Sequence, residues 1–155
     1  IKLFQDNNIF TPSEMHSRYE ILLENYSKLI NIEALTMLDM LRKDILPATN
    51  KFMKDLTDTI IAKKSIGLSN SCDMERGTLS QVSTLTNELY SKTEELSALI
   101  RKVDEFEDNY SLAKFYSDSV LKVMNEARAI ADNIEVLVGR EYWPIPSYSD
   151  LLYRV

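Results

Sequence analysis

Apolar residues recur every three or four positions along three long stretches of this chain, which is the spacing of one face of an α-helix. Helix one is predicted over about residues 12–64, helix two over about 73–107 and helix three over about 110–138. A tail follows over residues 139–155, and its two prolines keep residues 142–148 largely extended. Ser147 or Ser149 could cap a last short turn through Leu151, Leu152 and Tyr153. Short connections make consecutive helices antiparallel neighbours. The pattern therefore predicts an all-α fold, a single-domain antiparallel three-helix bundle with a very long first helix.

The start of helix one carries strong local signals. Thr11 is a suitable N-cap, Pro12 fits the first helical position, and Glu14 stands where a capping box requires a carboxylate. Pro47 lies inside the same stretch and removes one helical hydrogen bond. Because the apolar phase is the same on both sides of Pro47, we favour a helix that continues with a kink, and a true break is the alternative.

Helix two has a seam in which steps of three and four alternate, as in coiled-coil heptads. The seam positions are Val82, Leu85, Leu89, Lys92, Leu96, Leu99, Val103 and Phe106. Lys92 is the only polar member, and we expect its ammonium to snorkel to the surface.

The three predicted helices differ in length. At 1.5 Å per residue they span roughly 80, 50 and 42 Å, so helix two returns only to about the level of residue 30. The first half of helix one then extends beyond the bundle, although it is too apolar to face water alone. The tail, the segment before Thr11, or another domain or subunit must cover it. The candidate interface residues on this half and on the tail are Arg18, Tyr19, Leu22, Leu23, Tyr26, Trp143 and Tyr148.

Composition excludes several classes of function. The 155 residues include three Gly and four Pro, against a combined share of about 12% in average proteins. No glycine cluster is available for a Rossmann or P-loop phosphate site. A net charge of −6 disfavours nucleic acid or an anionic membrane as partner, and no apolar run is long enough to span a bilayer.

Candidate chemistry is equally scarce. His16 is the only histidine and Cys72 the only cysteine. We expect His16 to lie on the surface and Cys72 to be an inert loop thiol, and we assign no catalytic, cofactor-binding or metal-ligating residue. A single cysteine is typical of a reducing compartment, so we expect a cytoplasmic location. The chain lacks an initiator Met, which suggests part of a larger protein.

Three segments resemble a known family. Residues 9–28, IFTPSEMHSRYEILLENYSK, and residues 31–48, NIEALTMLDMLRKDILPA, resemble the segment that follows the catalytic domain of type III glutamine synthetases, the large bacterial class. Residues 141–153, EYWPIPSYSDLLY, are similar to that family's closing tail. The resemblance is weak over residues 62–108.

The resemblance implies a parent enzyme of nitrogen metabolism that condenses glutamate and ammonia to glutamine, using ATP and Mg²⁺ or Mn²⁺. The metal-holding and phosphate-holding residues of that family lie upstream, so the isolated chain is expected to be inactive. The family assembles as stacked hexameric rings, which implies that the overhanging face docks on the catalytic domain or on a neighbouring subunit. The alternative is a free-standing helical interaction or sensor bundle without enzymatic activity.

Overall fold

Helices account for most of the backbone in a computed structural model, which describes residues 2–68, 72–146 and 148–153. The described residues include no strand, and three helical stretches are long. The all-α class predicted from the sequence is therefore confirmed. The α-helices are α1 (Lys2–Asp6), α2 (Pro12–Met40), α3 (Leu46–Ser65), α4 (Asp73–Arg101), α5 (Asn109–Phe115), α6 (Leu121–Leu137) and α7 (Tyr148–Tyr153).

Helix α2 begins with the predicted capping box. The backbone N–H of Glu14 donates to the Thr11 hydroxyl at 3.3 Å, and the backbone N–H of Thr11 donates to the Glu14 carboxylate at 2.8 Å. These bonds satisfy two N–H groups that the first helical turn leaves without partners. Hydrogen bonding to Thr11 also lowers the pKa of Glu14 below its ordinary value.

The first long helix is continuous past Pro47, as predicted. A π-helical turn, Leu41–Ile45, lies between α2 and α3 and accommodates the proline. The Leu46 N–H donates to the Leu41 carbonyl, five residues earlier. Pro47 lacks an N–H, and its ring crowds the preceding turn of an α-helix. The wider π-helical turn takes up this conflict immediately before the proline.

Helix two ends earlier than predicted. The α-helix stops at Arg101, whereas the sequence predicted helix to about residue 107. A 3₁₀ turn follows over Val103–Glu105, and the backbone is extended at Phe106. The Phe106 ring leaves the predicted seam and lies 4.7 Å, centroid to centroid, from the ring of Phe115 on α5. This aromatic contact favours the turn over further helix.

Helix three begins with α5 and contains a second π-helical turn, Tyr116–Val120, before α6. The Asp108 carboxylate caps α5 by accepting from the Ser111 N–H at 2.8 Å. The tail ends in the short helix α7, which agrees with the short turn predicted through Leu151, Leu152 and Tyr153. Ser147, one of its two candidate caps, lies outside the described residues.

Two hydrophobic clusters form the core. The first cluster comprises Ile30, Ala34, Leu38, Leu96, Tyr116, Val120, Val123 and Met124. The second cluster comprises Leu41, Ile45, Val82, Leu89, Ala127, Ala131, Ile134 and Val138. Each cluster draws residues from all three long helical stretches, so removing any one stretch would expose both clusters to water.

The chain itself covers part of the predicted overhang. Helix α5 packs against α2, and the Asn109 amide donates to the Glu20 carboxylate at 2.9 Å. Tyr26 packs against the first cluster. The Arg18 guanidinium lies 4.4 Å from the centre of the Phe10 ring, so the segment before Thr11 also contacts the start of α2. The uncovered face is therefore smaller than the helix lengths predict.

Candidate functional site

A groove between α2, α6 and the tail is the concave feature of the described residues that we consider as a candidate site. We call it the α2–α6 groove, and its volume is about 750 Å³. Its apolar lining residues are Ile32, Met37, Met40, Leu41, Ile45, Leu121, Met124, Ala131, Trp143, Ile145, Pro146 and Leu151. Its polar lining residues are Glu33, Thr36, Asn125, Arg128, Asp132 and Glu135. A predominantly apolar groove of this size is typical of a binding site.

Helical spacing explains why these residues line the groove. On α6, positions 121, 124, 128, 131 and 135 are separated by three or four residues, so they share one face. On α2, Ile32 and Met40 are eight residues apart and also share a face. The same face of α2 continues toward the N-terminus with Leu22 and Leu29, which are 67% and 55% exposed. This second apolar line is visible in the sequence, but the predicted interface included only Leu22 of it.

The rim of the groove is acidic. Glu33 lies on the α2 side, and Asp132 and Glu135 lie on the α6 side. Arg128 is the basic member of the rim, and its Nε lies 4.0 Å from the Asp132 carboxylate. Three carboxylates against one guanidinium leave a net negative rim around an apolar floor.

The tail closes one side of the groove and is held by contacts on α3. The Tyr142 hydroxyl donates to Asp55 at 2.6 Å, and its ring packs edge-on against Phe52 at 5.3 Å. The bond to Asp55 raises the pKa of Tyr142 to about 12. Next to it, Trp143 packs against the second cluster, and its indole N–H is buried without a hydrogen-bond partner among the described residues. A buried donor without a partner is costly.

Lys92 connects two helices instead of only reaching water. Its ammonium lies 2.7 Å from Glu126 on α6 and 2.8 Å from Glu95 on its own helix. These hydrogen bonds, that to Glu126 first, raise the pKa of Lys92 well above its ordinary value. The Lys92 bond in turn lowers the pKa of Glu126. The snorkelling prediction therefore missed a specific ion pair between α4 and α6.

A second cross-helix pair lies near the start of α4. Glu75 is 3% exposed, and one of its carboxylate oxygens accepts from the Lys63 ammonium, while the other has no hydrogen-bond partner among the described residues. The bond from Lys63 lowers the pKa of Glu75. Cys72 precedes this helix and is fully buried as a free thiol, so its position agrees with an inert residue.

The described residues do not fit the metal ion that the resemblance implies for a parent enzyme. They hold no group of three or more His, Cys, Asp or Glu side chains able to bind a metal ion. We therefore derive no catalytic step from this chain. Across residues 2–68, 72–146 and 148–153, no helix combines the length and apolar character needed to cross a membrane.

Comparison with known proteins decides the family. The family model described as "Glutamine synthetase C-terminal domain" matches residues 1–64. A glutamine synthetase of Butyrivibrio fibrisolvens is 38% identical over 155 residues, which is all of this chain and 22% of the relative. Residues 1–64 therefore belong to the family of glutamine synthetase C-terminal domains, and the similarity to glutamine synthetases extends over the whole chain.

Two further relatives agree with this assignment. A type-3 glutamine synthetase of Dictyostelium discoideum is 36% identical over 160 residues, covering 99% of this chain and 21% of the relative. A glutamine synthetase of Bacteroides fragilis is 24% identical over 152 residues, covering 94% and 20% respectively. The chain thus spans about a fifth of the length of the curated relatives it matches.

The candidate interface residues of this C-terminal domain do not form one surface. Arg18, Tyr19 and Leu22 are exposed on α2, and Leu23 is half-buried beside them. Tyr26 packs on the first cluster, whereas Trp143 packs on the second. The structure therefore separates the α2 residues from Trp143, which belongs to the α2–α6 groove.

The last candidate, Tyr148, falls in α7, but its side chain lies outside the described part of the structure. The exposed candidates on α2, which are Arg18, Tyr19 and Leu22, remain a predicted interface.

Proposed function

We propose that this chain is the C-terminal structural and assembly part of a type III glutamine synthetase that forms glutamine from glutamate, ammonia and ATP. The observation that carries the proposal is the 38% identity to a glutamine synthetase over the whole of this chain. Because the chain corresponds to 22% of that relative, the catalytic machinery is assigned to the remaining part of the polypeptide.

The helices are proposed to form an antiparallel three-helix bundle. Supporting ion pairs join Arg42 to Glu94 at 2.8 Å and Lys63 to Glu75, so higher numbers on helix one meet lower numbers on helix two. Both core clusters likewise combine residues of the three helices. A rigid bundle of this kind suits a role in positioning and assembly.

The assembly surface is proposed to include the exposed face at the start of α2. Tyr19 and Leu22 are 45% and 67% exposed there, and apolar side chains grouped at this exposure mark contact surfaces. In the proposed parent this face docks on the catalytic domain or on a neighbouring subunit of a homo-oligomer built from stacked hexameric rings. The oligomer is proposed to work in the cytoplasm in nitrogen assimilation.

ATP and Mg²⁺ or Mn²⁺ are proposed as cofactors of the parent enzyme, bound outside these 155 residues. The isolated chain is accordingly expected to form no glutamine. Glutamine formation by the purified chain, measured with ATP, Mg²⁺, glutamate and ammonia, would contradict this assignment.

The experiment that tests the assembly role uses the full-length gene product. Deleting residues 12–155 is expected to reduce the oligomer mass, measured by light scattering after gel filtration, and to lower glutamine formation. Leu22→Asp is expected to reduce the oligomer mass in the same way. Ile61→Asp is the matched control, because Ile61 on α3 is 59% exposed and outside the proposed surface.

Unchanged oligomer mass and turnover in both the deletion and Leu22→Asp would reject the assembly role. A gene that encodes no catalytic region at all would favour the alternative, a free-standing helical interaction or sensor bundle.

A further inference from the structure

We propose that the α2–α6 groove binds a basic amphipathic helix contributed by a part of the parent polypeptide outside these 155 residues. This inference rests on the proposed function for the source of the helix. It concerns a different part of helix one from the Arg18–Tyr26 surface, since the groove lies between Ile32–Ile45 of helix one, α6 and the tail.

The shape of the groove selects a helix as occupant. Its two long walls run from Ile32 to Ile45 and from Leu121 to Glu135, each about 20 Å at 1.5 Å per residue. Leu29, 55% exposed and three residues before Ile32, continues the apolar line of this wall on α2. A helix of about 13 residues has this length, and helix-in-groove docking places its apolar positions along such a floor.

The floor has the chemistry of an adaptable helix-binding surface. Met37, Met40 and Met124 lie on it, and unbranched thioether side chains adjust to the shape of an apolar partner. Ile32 and Leu151 remain 61% and 69% exposed in this chain. Covering them would remove apolar area from water, which favours binding.

The charge of the rim selects a basic partner. Glu33, Asp132 and Glu135 stand against the single Arg128, which is already close to Asp132. A second copy of this chain is disfavoured as occupant, because each copy carries a net charge of −6 and the same acidic rim. Like charges brought together across an interface oppose association.

The relatives are long enough for a part outside these 155 residues to provide the helix. This chain matches 22% and 21% of two full-length relatives, so most of such a polypeptide is available to provide it. An intramolecular or intersubunit helix acts at high effective concentration, so modest rim contacts suffice to hold it.

The test is photo-cross-linking in the full-length gene product. Ile32→p-benzoylphenylalanine places the probe in the groove, and Ile61→p-benzoylphenylalanine is the control at a similarly exposed isoleucine on α3. The expected result is a cross-linked peptide from outside these 155 residues, rich in Lys or Arg and with helical apolar spacing. Its yield is expected to exceed that of the control at least fivefold.

Charge-reversal variants test the role of the acidic rim. Glu33→Lys combined with Glu135→Lys is expected to lower the cross-link yield about fivefold, as reversal of two exposed charge contacts implies. Glu107→Lys, which reverses an exposed acid outside the groove, is expected to leave the yield unchanged. Far-UV circular dichroism of each variant checks that the helices are intact.

Three outcomes would overturn the inference: no yield above the Ile61 control, a cross-link to residues 1–155 of a second copy, or a cross-link to an unrelated protein. These failures are distinguishable from failure of the proposed function. Failure of the proposed function is detected by measuring glutamine formation and by the presence or absence of a catalytic region. Neither observation depends on the cross-link.

Discussion

The ammonium of Lys92 on α4 lies 2.7 Å from the carboxylate of Glu126 on α6. It is the polar position in an otherwise apolar seam, and its side chain is 30% exposed. Lys92→Ala removes both stem and charge and is expected to lower the Tm by about 2–4 °C. Lys92→Met keeps an apolar stem and is expected to restore most of the loss.

The measurement is thermal unfolding followed by circular dichroism at low and high salt. At 1 M salt the Debye length is about 3 Å, so the difference between wild type and Lys92→Met should shrink. Equal losses in Lys92→Met and Lys92→Ala would show that the charge, and not the stem, stabilises the seam.

The buried carboxylate of Glu75 is expected to give the fold an acid-sensitive contribution. The bond from Lys63 lowers its pKa below the ordinary value of 4.5, so the charged form is favoured in the folded chain. The associated stability is present above pH 4.5 and is lost as the pH falls through the lowered pKa. Glu75→Gln is therefore expected to lower the Tm at pH 7 and to approach wild type at pH 3.

Glu88→Gln is a suitable control, because Glu88 is an exposed acid on the same helix. Thermal unfolding between pH 3 and pH 7 provides the comparison. A Tm difference for Glu75→Gln that is the same at both ends of this range would exclude the proposed linkage.

The bond between Tyr142 and Asp55 is expected to delay ionisation of one tyrosine. The pKa of Tyr142 is raised from 10.0 to about 12, so the contribution of this bond to stability is fully present below pH 10 and is lost as the pH rises from there through about 12. Tyr142→Phe keeps the ring against Phe52 and removes the hydroxyl. The ultraviolet absorbance of tyrosinate should then lose its latest-titrating component.

Tyr90→Phe serves as the comparison, because Tyr90 is 58% exposed on α4. Tyr90→Phe is expected to leave the latest-titrating component of the absorbance in place. If the last component survives in Tyr142→Phe, the bond to Asp55 does not control that ionisation.

The centre of the second cluster is expected to be highly sensitive to truncation. Leu89 is completely buried, and Leu→Ala changes at such sites cost about 2–5 kcal/mol through lost burial and the remaining cavity. Urea unfolding of Leu89→Ala should show this loss with an unchanged m-value. Tyr90→Ala, one residue along and exposed, should cost less than about 1 kcal/mol; similar costs for both would contradict the assigned core.

Local signals in the sequence predicted much of the fold. Thr11, Pro12 and Glu14 predicted the start of α2 because capping depends only on residues within one turn. The unbroken apolar phase correctly predicted continuity through Pro47. In helix two, the seam positions Val82, Leu89 and Leu96 are all fully buried.

Features that depend on distances between helices were not predictable in this way. The partner of Lys92 on α6 is 34 positions away in the sequence, and no local spacing identifies it. The π-helical turn before Pro47 is a backbone adjustment that leaves the apolar spacing almost unchanged. The α2–α6 groove arises from the separation of two helices and the path of the tail, neither of which has a sequence pattern.

The π-helical turn over Leu41–Ile45 has a consequence for insertions and deletions. Each helical residue turns the backbone by about 100°, so deleting one residue here would rotate all of α3 relative to α2. Ala48 and Ile60, now buried, would leave the core together. This five-residue turn therefore sets the rotational phase between the two halves of the longest helix, and a single-residue length change at this point would act on twenty residues at once.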